Sequence, residues 1–381
     1  GYEVVLYDQN DPGTQTSFGN AGLFCNRECI TANSPQLLKN LPNMLFGKSN
    51  PLVIDWLYVI QHLPWALQFL RNCTNKNVNH IAESLSSFSS HAELAYDEIF
   101  DEVDVSKYIV KKEPIFLYES KELFEKAQYT LNLRKKYNVN FDIISKENIE
   151  KIEPSLAPVY YNGIVLRGEK FTRSPIKITQ KIFDNFIKKG GRFVKNKVIS
   201  IINKDNNLFL KCNEQEHKAD KVVVAAGVWS NLLAKTIGDN FPLDTERGYH
   251  VLFENSKNLI SHSVGWAKTG FYMTPMEDGI RAAGTVEIAG LKKPINIKIL
   301  KSIESTARKI LPQLGKVKSH WMGFRPTLPD SLPVIGESQK CKNVYYAFGH
   351  QHLGLSLAAV TGKSIYSLIE KNRSNINIDS L

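Results

Sequence analysis

One short run of residues constrains the fold more than any other part of this 381-residue sequence. Residues 221–226 read Lys-Val-Val-Val-Ala-Ala, and Gly227 follows them. A continuous apolar run of this length is typical of a strand buried on both faces, as in a parallel sheet covered by helices. Small residues where such a strand ends allow either a cofactor or a helix to approach the backbone closely. The run therefore predicts an α/β fold with a cofactor, or tight strand–helix packing, at Ala226 and Gly227.

Two similar strand signals stand at the two ends of the chain. Residues 3–8 end in Asp8, where a dinucleotide-binding unit places the acid that binds the ribose hydroxyls. Residues 344–347 form the other strand, and a helix is predicted to follow at 353–370. The glycine-rich turn of such a unit does not precede Asp8, and the chain starts with Gly1 rather than Met. We therefore expect an N-terminal truncation.

Elements of other kinds separate these strands. Helices are predicted at 81–100, 121–137, 174–189 and 296–311, and strands at 108–118, 192–202, 208–212, 248–253, 270–275, 279–285 and 321–324. The alternation predicts an α/β class in which a Rossmann-like nucleotide-binding domain is interleaved with an α+β domain that contains an antiparallel sheet. The first domain is predicted from 1–50, 145–235 and 320–381, and the second from 51–144 and 236–319.

The composition excludes several classes of protein. Hydrophobic residues are 43% and charged residues 23% of the chain, which excludes a disordered or coiled-coil protein. Five cysteines without a C-x-x-C pair exclude a disulfide scaffold and fit a reducing, cytoplasmic setting. The net charge of +10 comes from dispersed lysines, so we expect no nucleic-acid partner. No His/Cys/Asp cluster has metal-ligand spacing, so no metal site is predicted.

The most apolar stretch, 51–70, is about as long as a membrane span. Polar residues and a proline interrupt it, at Asp55, Gln61, His62, Pro64 and Gln68. We predict a helix pair packed in the core. The alternative is an amphipathic surface that also touches a bilayer, which would place the protein peripherally at the inner face of the plasma membrane.

Three further motifs contain candidate site residues. Residues 16–22 read Thr-Ser-Phe-Gly-Asn-Ala-Gly, small enough to let backbone amides approach an anion, or to form a simple surface turn. Residues 321–336 contain Arg325 among Gly, Phe and Pro, where an arginine is either a buried structural ion or a fork for a carboxylate. Residues 349–354 open a helix, whose free N–H groups can hold partial negative charge.

In this order, the motifs resemble the flavin-dependent amino-acid oxidoreductases of the D-amino acid oxidase superfamily, above all the bacterial D-amino acid dehydrogenase small-subunit type. The resemblance covers nearly the whole chain, and the ordered set of motifs is specific where each one alone is weak. It rests on Asn20-Ala21-Gly22, the apolar region 51–72, the run 225–230, residues 247–250, residues 323–326 with Pro329-Asp330, and Gly349-His350 with Leu353-Gly354.

The resemblance implies an FAD-binding Rossmann-like domain, a substrate domain, and FAD as the cofactor. Asp8 would bind the adenosine ribose, Val198 would lie beside the adenine, and the helix near Leu353 would point its N-terminus at the flavin. The other residues implied at the cofactor are Ser17, Asn20, Ala21, Gly22, Ala226, Gly227, Gly349, His350 and Gly354. Some relatives attach flavin through a cysteine near Arg325, but 321–336 has none, so we predict noncovalent FAD.

The implied activity is oxidation of an amino acid, expected to be a D-amino acid, to the imino or 2-oxo acid, with quinone or oxygen as electron acceptor. Arg325 would bind the substrate carboxylate, and Tyr249 and His250 would shape the site or merely pack. Gln351-His352 is bulkier than the pair expected for the dehydrogenase, which leaves the substrate open. Alternatives are oxidation of sarcosine, glycine, D-proline or hydroxyproline, or a non-catalytic, degenerate flavoprotein subunit, because the glycine-rich turn is missing.

Overall fold

The computed structural model describes residues 1–25, 27–39, 52–205, 207–213, 215–371, 376–379 and 381. The helices described in full are α1 (Trp56–Gln61), α2 (Leu63–Arg71), α3 (Asn75–Ser89), α4 (Ala92–Phe100), α5 (Lys121–Lys126), α6 (Gln128–Lys136), α7 (Lys146–Ile152), α8 (Pro175–Lys188), α9 (Ser230–Lys235), α10 (Ile297–Ile310) and α11 (Gly354–Glu370). The strands are β1 (Val5–Asp8), β2 (Leu23–Phe24), β3 (Leu52–Ile54), β4 (Ile109–Val110), β5 (Ile115–Tyr118), β6 (Phe141–Ser145), β7 (Asn162–Leu166), β8 (Lys170–Thr172), β9 (Arg192–Lys195), β10 (Ser200–Lys204), β11 (Asn207–Cys212), β12 (Gln215–Ala219), β13 (Val222–Val224), β14 (Asp244–Phe253), β15 (Val264–Trp266), β16 (Phe271–Met276), β17 (Gly279–Ile288), β18 (Val317–Thr327), β19 (Val334–Glu337) and β20 (Val344–Phe348).

A mixed nine-stranded sheet is the largest element, with the order β18-β14-β17-β16-β15-β5-β7-β6 and β3 paired to β17. The predicted antiparallel strands form its centre, where β14 pairs with both β17 and β18. One face packs on α10 around Val251 and Phe253. Because side chains alternate along a strand, residues 246, 248 and 250 lie on the opposite face. This opposite face, called the inner face below, contacts residues 16–22.

Short parallel pairs make up the Rossmann-like part. β1 pairs with β9, and β13 pairs with β20, which β19 joins in antiparallel orientation. The sequence predicted a strand buried on both faces at 221–226. Val222 and Val224 are buried, but Val223 is 43% exposed because it lines a cavity of about 330 Å³ beside α11. The mixed α/β architecture is confirmed, with this strand open on one face.

Several predicted elements are broken where local chemistry interrupts them. The helix predicted at 81–100 is two helices, α3 and α4, and the helix predicted at 121–137 is α5 and α6. The strand predicted at 108–118 is interrupted before Pro114, whose nitrogen has no hydrogen to donate to a ladder. The strand predicted at 192–202 divides into β9 and β10.

The apolar stretch 51–70 forms a helix pair as predicted, but its predicted packing in the core is wrong. Pro51 lies outside the described residues, β3 follows it, and Asp55 caps α1. None of the residues of α1 and α2 is buried. Tyr58 packs over Gly290 and donates a hydrogen bond to Asp244, so the opposite side of α1 faces outward. Among the described residues, no helix combines the length and the apolar character that crossing a bilayer requires.

The division into two interleaved domains stays a prediction. The predicted pieces are 1–50, 145–235 and 320–381 for one domain and 51–144 and 236–319 for the other. Residues 26, 40–51, 206, 214, 372–375 and 380 of these pieces lie outside the described residues. Strand pairing places β7 and β18 in the nine-stranded sheet. All of β7 and most of β18, however, lie in ranges predicted for the nucleotide-binding domain.

Candidate active site

Residues 16–22 lie against the inner face of the large sheet. The carbonyl oxygens of residues 18–21 each accept a hydrogen bond from a sheet side chain. Arg281 Nη1 donates to Phe18 O at 2.8 Å and Asn20 O at 3.0 Å, His250 Nδ1 to Gly19 O at 3.1 Å, and Thr274 Oγ1 to Ala21 O at 2.8 Å. In a planar trans peptide the N–H points opposite to the carbonyl. The amides of residues 19–22 therefore point away from the sheet, and those of Asn20 and Ala21 face the side on which an anion could bind, whereas the Gly22 amide donates to Asn20 Oδ1.

Two glycines in residues 16–22 allow this segment to lie close to its neighbours, Thr172 and Trp321. Gly22 has φ +78°, and a Cβ there would lie 2.6 Å from the carbonyl oxygen of Thr172. A Cβ at Gly19 would lie 2.0 Å from the Trp321 ring. Asn20 fixes the turn itself, because its Oδ1 accepts from the Gly22 amide at 2.7 Å. These contacts make the segment a preformed cradle with little side-chain bulk, which fits the pyrophosphate and flavin of a dinucleotide.

His250 lies beneath this cradle. Its ring is 1% exposed and stacks on Trp321 with 5.3 Å between ring centroids. Burial, with the Arg281 charge as a smaller cause, lowers the pKa of His250 to about 3. The neutral ring donates from Nδ1, since a carbonyl can only accept. The placement is that of a positioning residue for the loop.

We expect the His250→Gln variant to lose less stability on acidification than the wild-type protein. Unfolded histidine titrates near pH 6.5, so the unfolded chain takes up a proton that folded His250 refuses until about pH 3. The free energy of unfolding therefore falls as pH falls below 6.5, by about 2 kcal/mol at pH 5 from this group. Urea unfolding at pH 7 and pH 5 measures the difference. His320→Gln is the control, and an equal acid sensitivity of His250→Gln and wild type would contradict the assignment.

Arg325 also lies on the inner face. Its Nη1 donates to the carbonyl of Thr285 at 2.8 Å, and its guanidinium covers Gly248, where a Cβ would lie 2.4 Å from Nη2. Among the described residues, no carboxylate forms an ion pair with it within 4.0 Å. Glu246 stands opposite Arg325 in the β14–β18 register, and burial raises the pKa of the Glu246 carboxyl. Asp330, the acid five residues after Arg325, accepts from the Leu332 amide.

Tyr249 lies on the other face, away from Arg325 and His250. Its hydroxyl donates to Glu287 Oε2 at 2.5 Å, and Arg247 Nη1 lies 3.0 Å from the same oxygen. Tyr249 is 1% exposed and belongs to the core packed against α10. The structure therefore brings Arg325 and His250 to one face of the sheet but does not bring Tyr249 there.

The remaining candidates lie at the ends of strands. Asp8 ends β1 and is exposed, accepting from the Asn10 amide at 2.8 Å, and Val198 is half-buried between β9 and β10. Ala226 and Gly227 follow β13, and Gly349 follows β20 with φ +89°. These positions match ligand sites of α/β sheets, which lie at the carboxyl ends of strands.

The start of α11 lies beside an open cavity. His350 and Gly354 line the cavity of about 330 Å³ together with Val223 and Ala225, whereas Leu353 is buried. His350 Nε2 lies 2.8 Å from Thr361 Oγ1, and burial lowers the pKa of His350 to about 4. Small and mostly apolar residues line this cavity, which leaves room for a group to lie against β13 and α11.

Sequence reasoning missed Thr274 and Arg281, which hold the carbonyls of the cradle. Thr274 on β16 pairs with Arg281 on β17, and both project from the inner face. Because side chains alternate along a strand, the predicted strands 270–275 and 279–285 are compatible with Thr274 and Arg281 on one face of the sheet. Nothing in the sequence said that residues 16–22 would cover that face, because this contact joins segments more than 250 residues apart.

Residues 1–368 match the model of the FAD dependent oxidoreductase (DAO) family, and the chain therefore belongs to that family of amino-acid and amine oxidoreductases, with FAD as its cofactor. The cradle and the cavity beside α11 fit such a group. A D-amino-acid oxidase of Bradyrhizobium diazoefficiens is 31% identical over 386 residues, covering 99% of this chain and 91% of that protein.

Solved structures with a similar fold include enzymes that are named for other substrates. A glycine oxidase from Bacillus cereus superposes with a TM-score of 0.75 at 19% identity, covering 100% of this chain and 92% of that one. An L-proline dehydrogenase from P. horikoshii gives 0.68 at 20% identity, covering 78% of this chain and 82% of that one. The predicted family and fold class are thereby confirmed.

Proposed function

We propose that the protein oxidises a D-amino acid to the corresponding imino acid, and that Arg325 binds the substrate carboxylate. The proposal rests on the guanidinium of Arg325, which lies on the face that holds the cradle and forms no ion pair within 4.0 Å in the described part of the chain. Arg325 is half-buried, and Glu246 acts on it only from beyond ion-pair distance, so a substrate carboxylate would supply the direct, bidentate partner that the guanidinium lacks.

The chain's residues would position rather than react. FAD, when bound, accepts the hydride that leaves the α-carbon. Arg325 would fix the carboxylate and so the position of the α-carbon. Neutral His250 would hold the carbonyl of Gly19 and keep the cradle in place. We assign Tyr249 a structural role with Glu287 and Arg247.

The cofactor would lie along the strand ends and the start of α11. We propose that Asp8 binds the ribose and Val198 the adenine, and that the cradle holds the pyrophosphate and flavin with Ser17, Asn20, Ala21 and Gly22. Ala226, Gly227, Gly349, His350, Leu353 and Gly354 would line the rest. The N-terminus of α11 favours negative charge on the group it faces.

The D-configuration is supported by the relative named D-amino-acid oxidase. Oxidation of glycine, sarcosine or a cyclic imino acid is the second candidate, supported by the fold neighbours named glycine oxidase and L-proline dehydrogenase. A panel of D- and L-amino acids, glycine, sarcosine and prolines, mixed anaerobically with the FAD-containing protein, which is yellow, distinguishes the two candidates. Fastest bleaching by a D-amino acid supports the first candidate. A colourless protein, even with added FAD, would instead indicate a non-catalytic subunit.

We expect the flavin to be noncovalent. Residues 321–336 contain no cysteine, and Cys341, the nearest one beyond them, is buried and accepts a hydrogen bond from Asn203. Acid precipitation should leave all flavin in the supernatant, as measured by its absorbance. Flavin that remains in the washed pellet would contradict this prediction.

We further propose that α1 and α2 contact an anionic membrane surface, from which a quinone could take the electrons. Their outward side carries four strongly exposed apolar residues, Leu57 (68%), Ile60 (67%), Leu63 (49%) and Leu67 (57%). The ion pair of Lys293 with Asp55 in this region is neutral, so the attraction to anionic lipid rests on the net charge of +10 of the chain. The combination matches an amphipathic helix that lies in a bilayer interface.

Vesicles that contain anionic lipid test this surface. The double variant Ile60→Ser/Leu67→Ser should bind at least about tenfold more weakly, since each buried side chain of this size contributes roughly 1.5–3 kcal/mol. Leu94→Ser is the control, because Leu94 is 67% exposed on α4, away from this surface. Co-sedimentation measures the bound fraction. Equal binding by wild type and the double variant, or peroxide formation as the only route of reoxidation, would contradict the proposal.

A further inference from the structure

Three ligand-type groups that the site described above does not use form a cluster, with two of them buried and Cys25 half-buried. Cys25 Sγ, a carboxylate oxygen of Glu28 and a carboxylate oxygen of Glu169 all lie within 4.8 Å of one another. Cys25 follows β2, and Glu169 precedes β8, the strand that pairs with β2. The β2–β8 pairing therefore brings together groups that are far apart in the sequence.

Glu169 has no visible role in the fold. Its side chain is 4% exposed, and neither carboxylate oxygen has a hydrogen-bond partner among the described residues. A buried carboxylate without partners costs several kcal/mol, and native proteins retain such groups where another ligand satisfies them. Both oxygens are therefore available to a ligand at the point where Cys25 and Glu28 converge.

A divalent cation would match the charges of the cluster once its protons are released. Glu28 Oε1 accepts from the amides of Cys29 and Ile30 at 2.9 and 2.8 Å, and Arg134 Nη2 lies 3.7 Å from Glu28 Oε2. Burial raises the pKa of Glu169 to about 8 and the pKa of the Cys25 thiol well above its ordinary value, so both groups are protonated at neutral pH. A divalent ion would displace these two protons, and its charge would balance the −2 of two carboxylates, a thiolate and one guanidinium.

We propose that Cys25, Glu28 and Glu169 form a metal site for zinc or a similar borderline divalent ion. One sulfur and two oxygen ligands suit zinc, which can keep a water as its fourth ligand. Zinc holds such ligand atoms roughly 3.5 Å apart, given bonds of about 2.3 Å to sulfur and 2.1 Å to oxygen. The ligand atoms, now within 4.8 Å of one another, would have to move closer by about 1 Å on binding. The ion would clamp the segment after β2 to the turn before β8.

The test uses the purified FAD-loaded protein, freed of metal with a chelator and titrated with Zn²⁺. We expect one zinc per chain by elemental analysis after removal of excess. Cys25→Ser and Glu169→Gln, both nearly isosteric, should each weaken zinc binding by at least about tenfold. Co²⁺ in place of zinc should give a thiolate-to-cobalt absorption in the difference spectrum, absent in Cys25→Ser.

Matched controls distinguish this site from nonspecific binding. Cys73→Ser and Glu153→Gln change buried residues outside the cluster and should leave zinc binding unchanged. Flavin content and melting temperature report whether each variant is folded. A wild-type protein that binds no zinc, or zinc that binds equally to folded Cys25→Ser and Glu169→Gln, overturns the proposal. Neither outcome depends on which amino acid the enzyme oxidises.

Discussion

Replacing Arg325 with lysine should lower kcat/KM for the amino-acid substrate by at least about tenfold, or 1.4 kcal/mol. The charge is kept, but the planar fork that matches a carboxylate is lost. Arg325 already uses Nη1 on the carbonyl of Thr285, and Gly248 leaves the space in which the guanidinium lies. The lysine ammonium has fewer N–H donors, all on one nitrogen, and cannot bind both the Thr285 carbonyl and a carboxylate in bidentate geometry. Steady-state kinetics with saturating acceptor measure the loss.

Two controls make the result specific to the carboxylate. Arg308→Lys changes an arginine on α10 that donates to Glu304 and to the Leu314 carbonyl, and it should keep full activity. A substrate analogue whose carboxylate is replaced by an amide should be oxidised poorly by wild type and no worse by Arg325→Lys. Flavin content should match wild type. Normal amino-acid turnover by Arg325→Lys would show that the carboxylate binds elsewhere.

The second large effect is expected at Gly22. Alanine there must adopt φ +78° and place its Cβ 2.6 Å from the Thr172 carbonyl oxygen, so the cradle has to shift. The left-handed conformation alone costs an L-residue roughly 1–2 kcal/mol. We expect the dissociation constant for FAD to rise at least about tenfold, because 1.4 kcal/mol corresponds to that factor. Quenching of flavin fluorescence during titration of the flavin-free protein measures it.

Gly168 provides the matched comparison. It has φ +75°, nearly the same as Gly22, but a Cβ there meets no atom of the described residues within 4 Å. Gly168→Ala therefore carries the conformational strain without the collision and lies outside the cradle. It should lower the melting temperature slightly and leave FAD affinity unchanged. If Gly168→Ala weakened FAD as much as Gly22→Ala, general destabilisation would account for both, and the cradle would lose its assigned role.

The sequence predicted the elements well where periodicity and small residues coincide. The β13 strand, the antiparallel strands β14, β16 and β17, and the closing helix α11 all lie where the patterns indicated. The breaks within predicted elements were harder, because tertiary contacts decide where a helix or strand stops. The exposure of α1 and α2 could not be predicted from hydrophobicity. Hydrophobicity measures the tendency of a side chain to leave water, but it does not say which surface the side chain packs against.

In the site, too, local patterns predicted some residues, whereas tertiary contacts determined others. Arg325 and His250 were identified as candidates from their motifs, and both lie on the inner face. Tyr249, adjacent to His250, lies on the opposite face because a strand turns successive side chains by half a revolution. A motif identifies a pair of neighbours but not which of them faces the site. Thr274 and Arg281 required knowledge of the contact between residues 16–22 and the sheet, a long-range feature that local patterns do not contain.

Anaerobic reduction of the flavin by a substrate amino acid, with hydrogen or deuterium at the α-carbon, tests the central claim most directly. The visible flavin absorbance should bleach with one 2-oxo acid formed per flavin, and α-deuteration should slow the bleaching, because the bond between the α-carbon and its hydrogen breaks in the step that reduces the flavin. A protein that contains FAD but stays yellow with every amino acid and amine of the panel would contradict the account.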